Sequence, residues 1–294
     1  MAGTHVQIFM CTHKPYTLLP PLAVAVQGGA SLHPPVDGTR PDVGEGGSIS
    51  EKNPAYCELT VQYYAWKNEQ ADYYGFCHYR RFFGFGAKTK RPYLALGTLS
   101  KKQARDLLGT PEAIRKAIEE GNLDAVTVRS EDMGISVARH YATSAHQYAE
   151  DLDRFVAILR KKYPHLSPHA DAYLSQSRQY FCNMFILRRE LFFDYCEHLF
   201  PLLEEFDRDK PMRGDFQSDR TDGYLAERFF GIYLSYLRDR NARILEVPRI
   251  DADCPIGKRV LYHLLPPESN RRMLLKRLTK KQEAPPNKKN EKEG

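Results

Sequence analysis

The chain has 294 residues, of which 42% are hydrophobic, enough for one large domain or two small ones with a substantial core. No apolar run approaches the about 20 residues of a membrane-spanning helix, so no span is predicted. The net charge is +6, but residues 267–294 hold nine Lys or Arg and four Glu and supply +5 of it. The remaining body is almost neutral, which argues against a nucleic-acid-binding surface.

The six cysteines are scattered without a close pair, and no signal peptide precedes them. This pattern predicts free thiols in the cytoplasm. A zinc site usually shows CxxC-like spacing, so a cysteine-based metal site is not predicted.

The first predicted element is a buried strand over residues 6–11, followed directly by Thr12, His13 and Lys14. Residues 27–50 are rich in Gly, Pro, Asp and Ser and are predicted to form a loop. The glycines of this loop match neither a Rossmann fingerprint nor a P-loop. For Lys14 two interpretations stay open, a ligand contact and an ordinary surface lysine.

A helix is predicted from Asn53, with this amide as the N-cap and Pro54 at the first helical position. Apolar residues recur at helical spacing at Tyr56, Leu59, Tyr63 and Trp66. Residues 73–79 then form a short aromatic strand that delivers three polar side chains at its carboxyl end, namely His78, Arg80 and Arg81. In open α/β sheets this is the edge where ligands bind.

The rest of the chain alternates helical and strand patterns, after a polar excursion from the sheet over residues 84–109. Helices are predicted from Thr110, over 148–162, over 191–206 and just after Asp222; strands are predicted at 123–128, 180–187 and 243–247. Asn183 lies in the middle of the second of these strands. A buried amide without partners costs about 1–3 kcal/mol, so Asn183 either pins the backbone or faces a ligand.

Several phrases, taken in order, resemble a family of bacterial capsular and exopolysaccharide biosynthesis glycosyltransferases, described as the domain of unknown function 4422. The phrases are THK at residues 12–14, ISEKNP at 49–54, CELT at 57–60, WKN at 66–68, HYRRFF at 78–83, YFCNMFI at 180–186 and GYLAER at 223–228. The match spans about residues 6–250. It implies a nucleotide-sugar-dependent transferase of the GT-A type, and some relatives are associated with galactofuranose transfer.

The resemblance also implies roles for individual residues. The donor-binding candidates are Thr12, His13, Lys14, Glu51, Asn53, His78, Arg80, Arg81 and Asn183. The candidates for the catalytic base are Asp222 and Glu227, although a helix cap for Asp222 and an exposed helix acid for Glu227 stay open. Glu58 is a further candidate, as a capping group or a contact to sugar hydroxyls. The loop over 27–50 is expected to be mobile and to fold over the donor, but Gly47-Ser48-Ile49-Ser50 replaces the family's Asp-Asn-Ile-Ser phrase.

Metal-dependent members of the fold carry an Asp-x-Asp triplet after a central strand. Here His78-Tyr79-Arg80-Arg81 follows the comparable strand, and the triplet at Asp251-Ala252-Asp253 comes after the last strand. Because guanidinium groups suit bidentate contact with phosphate, Arg80 and Arg81 are expected to neutralise the diphosphate. Metal independence is therefore a hypothesis: no metal ligands are predicted and no cofactor is certain, with Mn²⁺ or Mg²⁺ as the alternative. For His78 two interpretations stay open, a contact to a metal or diphosphate oxygen and a satisfied core residue.

Together these patterns predict an α/β protein with a single GT-A-like domain over residues 1–265. Its central sheet is mixed, mainly parallel and flanked by helices, and residues 266–294 form a basic, flexible tail. The predicted function is transfer of a sugar from a nucleotide donor, with UDP favoured, to a growing cell-surface polysaccharide or lipid-linked acceptor. The alternative is a non-catalytic carbohydrate- or nucleotide-binding module. The expected location is cytoplasmic. For the tail two interpretations stay open, contact with the anionic inner face of the membrane and a solvated, disordered appendage.

Overall fold

The structure is a computed structural model that describes residues 3–211 and 213–265. The predicted basic tail lies outside these residues. The strands are β1 Val6–Thr12, β2 Ala23–Gln27, β3 Arg40–Pro41, β4 Tyr73–His78, β5 Arg81–Phe83, β6 Tyr93–Ala95, β7 Ala125–Val128, β8 Glu131–Asp132, β9 Arg178–Gln179, β10 Phe185–Arg188, β11 Ile244–Val247 and β12 Arg249–Asp251. The helices are α1 Asn53–Tyr56, α2 Leu59–Asn68, α3 Lys101–Leu108, α4 Pro111–Glu120, α5 Val137–Ala142, α6 Ala149–Lys162, α7 Ser167–Ser175, α8 Arg189–Asp207, α9 Thr221–Asp239 and α10 Ile256–Leu264.

The main sheet has the strand order β11-β7-β10-β4-β1-β2-β3. All neighbouring strands are parallel except β10, which is antiparallel to both β4 and β7. This confirms the predicted mixed, mainly parallel sheet. Because β10 runs in the opposite direction, its amino end lies beside the carboxyl ends of β1 and β4, and polar side chains from all three strands meet at this edge.

Two hydrophobic cores cover the two faces of the sheet, since successive strand residues point to opposite sides. Phe9 faces a helical layer formed by α2 and α5–α9, in which aromatic rings such as Phe185 and Phe230 stack at 4.7 Å. Ile8 and Met10 face the second core, which is formed with α3, α4 and β5. Because both faces are buried, the sequences of the central strands are nearly continuous apolar runs.

Residues 84–109, which were predicted to form a polar segment outside the sheet, contain ordered elements that the sequence interpretation missed. Strand β6 pairs in parallel with β12, which also pairs antiparallel with β5. Helix α3 begins with a capping box, in which Ser100 and Gln103 bond reciprocally. This signal was available in the sequence. Helix α3 carries only a short apolar stripe, and its neighbourhood is polar.

The single helix predicted from Asn53 is wrong, because the helix breaks at Cys57. This residue has a left-handed backbone with φ of 53°, so α1 ends at Tyr56 and α2 starts at Leu59. Asn53 is not an N-cap either. Its Nδ2 donates to the Cys57 carbonyl at 2.7 Å and to Thr60 Oγ1 at 3.2 Å. The amide therefore stabilises the break by bonding to a carbonyl at the interrupted turn.

Two further boundaries differ from the predictions. The strand predicted over 180–187 is confined to β10, because Cys182 and Asn183 have φ of 76° and 46° and cannot continue a pleated ladder. Asn183 thus lies in a turn before the strand. Asp222, predicted to precede a helix, lies within the first turn of α9.

The loop over residues 27–50 is built around a buried carboxylate. Asp42 is fully buried and accepts hydrogen bonds from the backbone N–H groups of Gly29 at 2.8 Å and Ala30 at 3.0 Å, and from Ser50 Oγ at 2.5 Å. Asp42 therefore stabilises the loop internally, and closure of the loop over a donor stays a prediction. Across the described residues, no helix combines the length and hydropathy that crossing a membrane would require.

Candidate functional site

A cluster of basic side chains surrounds Tyr79, just beyond the carboxyl end of β4. The ring of His13 contacts the tyrosine ring edge-on at 5.4 Å, Lys14 Nζ lies 5.3 Å from its centroid, and the Arg80 guanidinium lies 4.9 Å from it. We call His13, Lys14 and Arg80 the basic cluster. Burial lowers the pKa of His13, and Lys14, Arg80 and Arg220 lower it further. Like charges therefore converge here, and a bound anion would relieve their repulsion.

Thr12 fixes the turn that carries Lys14. Its side chain is buried, and its hydroxyl donates to the Lys14 carbonyl at 2.6 Å while accepting from the Lys14 N–H at 3.3 Å. The structure thus gives Thr12 a positioning role within the predicted donor site.

A polar cluster, which we call the floor, joins distant parts of the chain next to His78 at the carboxyl end of β4. Asn183 Nδ2 donates to Glu58 Oε1 at 2.8 Å and lies 3.3 Å from the Gly223 carbonyl. Its Oδ1 is buried and has no partner among the described residues. Such an orphaned acceptor costs about 1–3 kcal/mol, and a ligand hydroxyl could satisfy it.

His78 completes this floor. Its Nε2 lies 2.8 Å from the Cys182 carbonyl and 3.9 Å from Glu58 Oε1. Burial lowers the pKa of His78, although the Glu58 carboxylate opposes this effect. A neutral ring with its proton on Nε2 can donate to the Cys182 carbonyl, which helps to hold the left-handed turn at Cys182 and Asn183.

Glu227 lies on α9 opposite this turn. The Cys182 N–H donates to Glu227 Oε1 at 2.6 Å, and Arg228 Nη1 donates to Glu227 Oε2 at 2.8 Å. Burial raises the pKa of Glu227, whereas Arg228 lowers it. The side chain is 17% exposed, so it is held firmly but keeps some accessible surface.

Asp222 has a different environment from Glu227, although both were predicted as candidates for the base. Its side chain is fully buried in an ion pair with Lys210 Nζ. Burial raises the pKa of Asp222 to about 7; Lys210 opposes this shift, and Asp207 adds to it. In this conformation its carboxylate has no exposed surface with which to contact an acceptor.

Of the remaining predicted residues, Arg81 belongs to the candidate site and Glu51 lies outside it. Arg81 is exposed at the start of β5, and its pKa is raised chiefly by Cys182, with contributions from Asp251 and Glu227. Its guanidinium is therefore within electrostatic reach of Glu227. Glu51 is exposed in the 3-10 turn Ser50–Lys52, and no contact within the described part of the chain joins it to the floor.

Sequence reasoning missed Tyr79 and Arg220 as site residues. Tyr79 holds the basic cluster together, and its position between cationic residues in HYRR was a usable signal. Arg220 Nε donates to Cys57 Sγ at 3.1 Å, next to the break between α1 and α2. No local pattern marks Arg220, since its position depends on the packing of α9 against α1.

No group of three or more His, Cys, Asp or Glu side chains within residues 3–211 and 213–265 is placed to hold a metal ion. The late triplet is occupied by other contacts, because Asp251 accepts from Arg249 Nε at 2.6 Å and Asp253 accepts from Thr98 Oγ1 at 2.7 Å. Metal independence stays a prediction.

Comparison with known proteins agrees with this architecture. The chain is similar to the solved structure of the WbbM bifunctional glycosyltransferase in its apo form, with 29% sequence identity and a TM-score of 0.78. The alignment covers 84% of this chain and 45% of that chain, so the similarity concerns about half of that protein. No curated protein matches the chain. The family model described as a domain of unknown function, DUF4422, matches residues 7–239, and the chain belongs to that family.

Proposed function

We propose that the chain is a glycosyltransferase that moves a sugar from a nucleoside diphosphate to a hydroxyl group of a glycan or lipid-linked acceptor. The observation that carries the proposal is the basic cluster around Tyr79, at the carboxyl edge of β1 and β4 beside the floor that contains Glu58 and Asn183. Similarity to part of a solved glycosyltransferase supports it.

The basic cluster would bind the diphosphate. Lys14 supplies a compact positive charge, and the planar guanidinium group of Arg80 can donate to two phosphate oxygens at once. His13 would gain a proton as the anion arrives, because the negative charge offsets the neighbouring cations that lower its pKa. Binding the diphosphate here also stabilises the charge that develops on it as the sugar leaves.

The polar floor would orient the sugar. Glu58, whose side chain is 14% exposed, would accept from a sugar hydroxyl, while its bond to Asn183 fixes the amide. The unpartnered Oδ1 of Asn183 is buried and would accept from the sugar only once donor binding exposes it. His78 and Cys182 maintain the turn.

Glu227 is the proposed general base in a single displacement. The acceptor oxygen forms a bond to the anomeric carbon, the bond between that carbon and the diphosphate oxygen breaks, and the acceptor proton passes to the Glu227 carboxylate. Burial raises the pKa of Glu227, which makes its carboxylate a stronger proton acceptor. Asp222 then has a supporting role, in holding the start of the same helix.

The finer parts of the proposal are UDP as the nucleotide, galactofuranose or another hexose as the sugar, and a growing cell-surface polysaccharide as the acceptor. They are supported by the motifs at residues 49–54, 78–83 and 180–186. The proposal places the reaction in the cytoplasm, as the unpaired cysteines of the sequence favour.

A two-step experiment tests the proposal. UDP- and dTDP-sugars are first screened for protection against thermal unfolding, and the protecting donor is then incubated with glycan and lipid-linked acceptors while free nucleotide is measured. We expect one donor to protect the protein and to release nucleotide only when an acceptor is present. Protection without acceptor-dependent release would favour the binding module, and absence of protection by every donor would contradict the proposed site.

A further inference from the structure

Helix α10 turns its apolar face outward. On its inner side Tyr262 is buried, its hydroxyl donates to the Tyr93 carbonyl, and the two rings lie 4.9 Å apart. The outward residues are Ile256, Val260, Leu261 and Leu264, which are 70%, 50%, 50% and 70% exposed. Surface helices normally place such residues against the core, so this face is suited to covering by a partner.

The exposed apolar residues are concentrated on α10, and the neighbouring segment extends this apolar surface. Four of the eight exposed large hydrophobic residues in the described part of the chain lie on this nine-residue helix. A groove of about 720 Å³ separates α10 from the segment over residues 91–103, and apolar side chains line both of its walls. They include Leu94, Leu96, Leu99, Ile256, Val260 and Leu264. The apolar surface therefore continues from the helix onto the neighbouring segment.

Positive charge accompanies this apolar surface. Arg91 and Arg259 line the same groove, and Lys258 is exposed on the helix, where it also pairs with Asp251 at 3.3 Å. The sequence after α10 adds a net +5 over residues 267–294, with Leu274, Leu275 and Leu278 set among lysines and arginines. An exposed apolar helix face combined with flanking cations matches the interface of an anionic bilayer, which offers both acyl chains and negative headgroups.

We infer that the α10 face docks on an anionic lipid surface. Ile256, Val260, Leu261 and Leu264 would enter the boundary between headgroups and acyl chains, while the cations contact the headgroups. Helix α10 follows β12, whose Asp251 pairs with Arg81 of β5. Lipid binding by the α10 face does not depend on the proposed transferase function.

Sedimentation of the full chain with lipid vesicles tests the inference without donor or acceptor. Vesicles of phosphatidylcholine are compared with vesicles that also contain phosphatidylglycerol. We expect the chain to bind the anionic vesicles at least about tenfold more strongly, and high salt to weaken this binding. In the double variant Ile256→Asp/Leu264→Asp, binding should fall by about tenfold or more, because two apolar side chains no longer enter the interface.

Leu32→Asp/Val43→Asp is the matched control, since it adds the same two charges at exposed residues of the loop over 27–50, and its vesicle binding should stay within about twofold. All variants are checked by thermal unfolding, and the replaced side chains are exposed enough to leave the fold intact. Equal binding by the double variant and the parent would overturn the role of α10 and leave the basic tail as the lipid contact.

Two other results would also overturn the inference. One is absence of binding of the parent to anionic vesicles. The other is a parent chain that is dimeric without vesicles and becomes monomeric in the double variant, since the α10 face would then be covered by a second copy. A failure of lipid binding would leave nucleotide release unaffected, so the two proposals can fail separately.

Discussion

Arg80 and Arg81 are neighbours in sequence after β4, but their side chains lie in different parts of the candidate site. Arg80 stacks on Tyr79 within the basic cluster, whereas Arg81 begins β5 near Cys182 and Glu227. The sequence motif predicted that both arginines neutralise a diphosphate, and the structure separates their surroundings. The two substitutions are therefore expected to differ in their effect on nucleotide binding.

Arg80→Ala should weaken UDP binding by about tenfold, because it removes a charge-assisted contact of about 1.4 kcal/mol at a partly solvated site. Isothermal titration calorimetry measures the dissociation constant. Arg105→Ala on the exposed surface of α3 is the control and should leave the affinity unchanged. Equal affinity of the parent and Arg80→Ala would remove Arg80 from the donor site.

UDP binding should strengthen as the pH falls from about 7.5 to about 5.5, in part through His13. Burial and neighbouring cations lower the pKa of His13 in the free protein, and a bound diphosphate would raise it, so binding takes up a proton. His13→Gln should show a weaker pH dependence. The phosphate's own titration is common to both proteins, so identical pH profiles would contradict a role for His13.

At the scale of elements, helix α9 carries both a buried ion pair and the proposed base of the candidate site. Its first turn carries Asp222, which pairs with Lys210 in the seam with α8, and Glu227 lies further along the same helix. At the end of α8, Asp207 Oδ2 accepts hydrogen bonds from the Tyr56 hydroxyl at 2.7 Å and from Lys52 Nζ at 3.3 Å. The buried charges therefore help to position the proposed base.

Lys210→Met should destabilise the protein more at a pH of about 8 than at about 5.5. The pKa of Asp222 is raised to about 7 in the folded state, so its contribution to stability falls as the pH rises from its ordinary range near 4 to that value. Without Lys210 the pKa rises further, and the deprotonated acid is unpaired. We expect a loss of about 3–5 kcal/mol in the free energy of unfolding at the higher pH.

Denaturant unfolding at the two pH values checks this expectation. Lys162→Met is the control, because Lys162 forms an exposed pair with Glu205 at 4.0 Å and should contribute less than about 1 kcal/mol at either pH. An equal loss at both pH values in Lys210→Met would show that Asp222 does not titrate as inferred.

The sequence predicted elements where hydrophobic periodicity is strong. Strands β1, β4, β7 and β11 and helices α4, α6 and α8 lie close to the predicted ranges, because their apolar patterns reflect burial directly. The break at Cys57 and the turn at Cys182 and Asn183 could not be read in this way. Left-handed residues other than glycine are stabilised by contacts from elsewhere in the fold, such as the bond from Cys182 to Glu227.

The site was predictable to the extent that its residues share a local motif. His13, Lys14 and Arg80 follow adjacent parallel strands, so their convergence follows from the topology. The contact between Glu58 and Asn183 joins residues 125 positions apart, and no local pattern specifies it. The burial of Asp222 likewise depends on Lys210, which lies outside α9.

At the scale of the whole molecule, the sheet and its two cores place the basic cluster at the carboxyl edge of β1 and β4. We expect transfer to persist after exhaustive dialysis against EDTA, because cationic side chains supply the charge that a divalent cation would otherwise provide. Nucleotide release is measured before and after chelation. Loss of release that Mn²⁺ or Mg²⁺ restores would contradict this expectation.

The central proposal is that the basic cluster and the polar floor support glycosyl transfer with Glu227 as the base. The most direct measurement is acceptor-dependent nucleotide release by the parent, by Glu227→Gln and by the control Glu205→Gln, with donor affinity determined for each protein. We predict that Glu227→Gln lowers kcat by about 10²–10⁴-fold and changes donor affinity by less than about threefold, whereas the control matches the parent. Unchanged kcat in a folded Glu227→Gln protein would contradict the account.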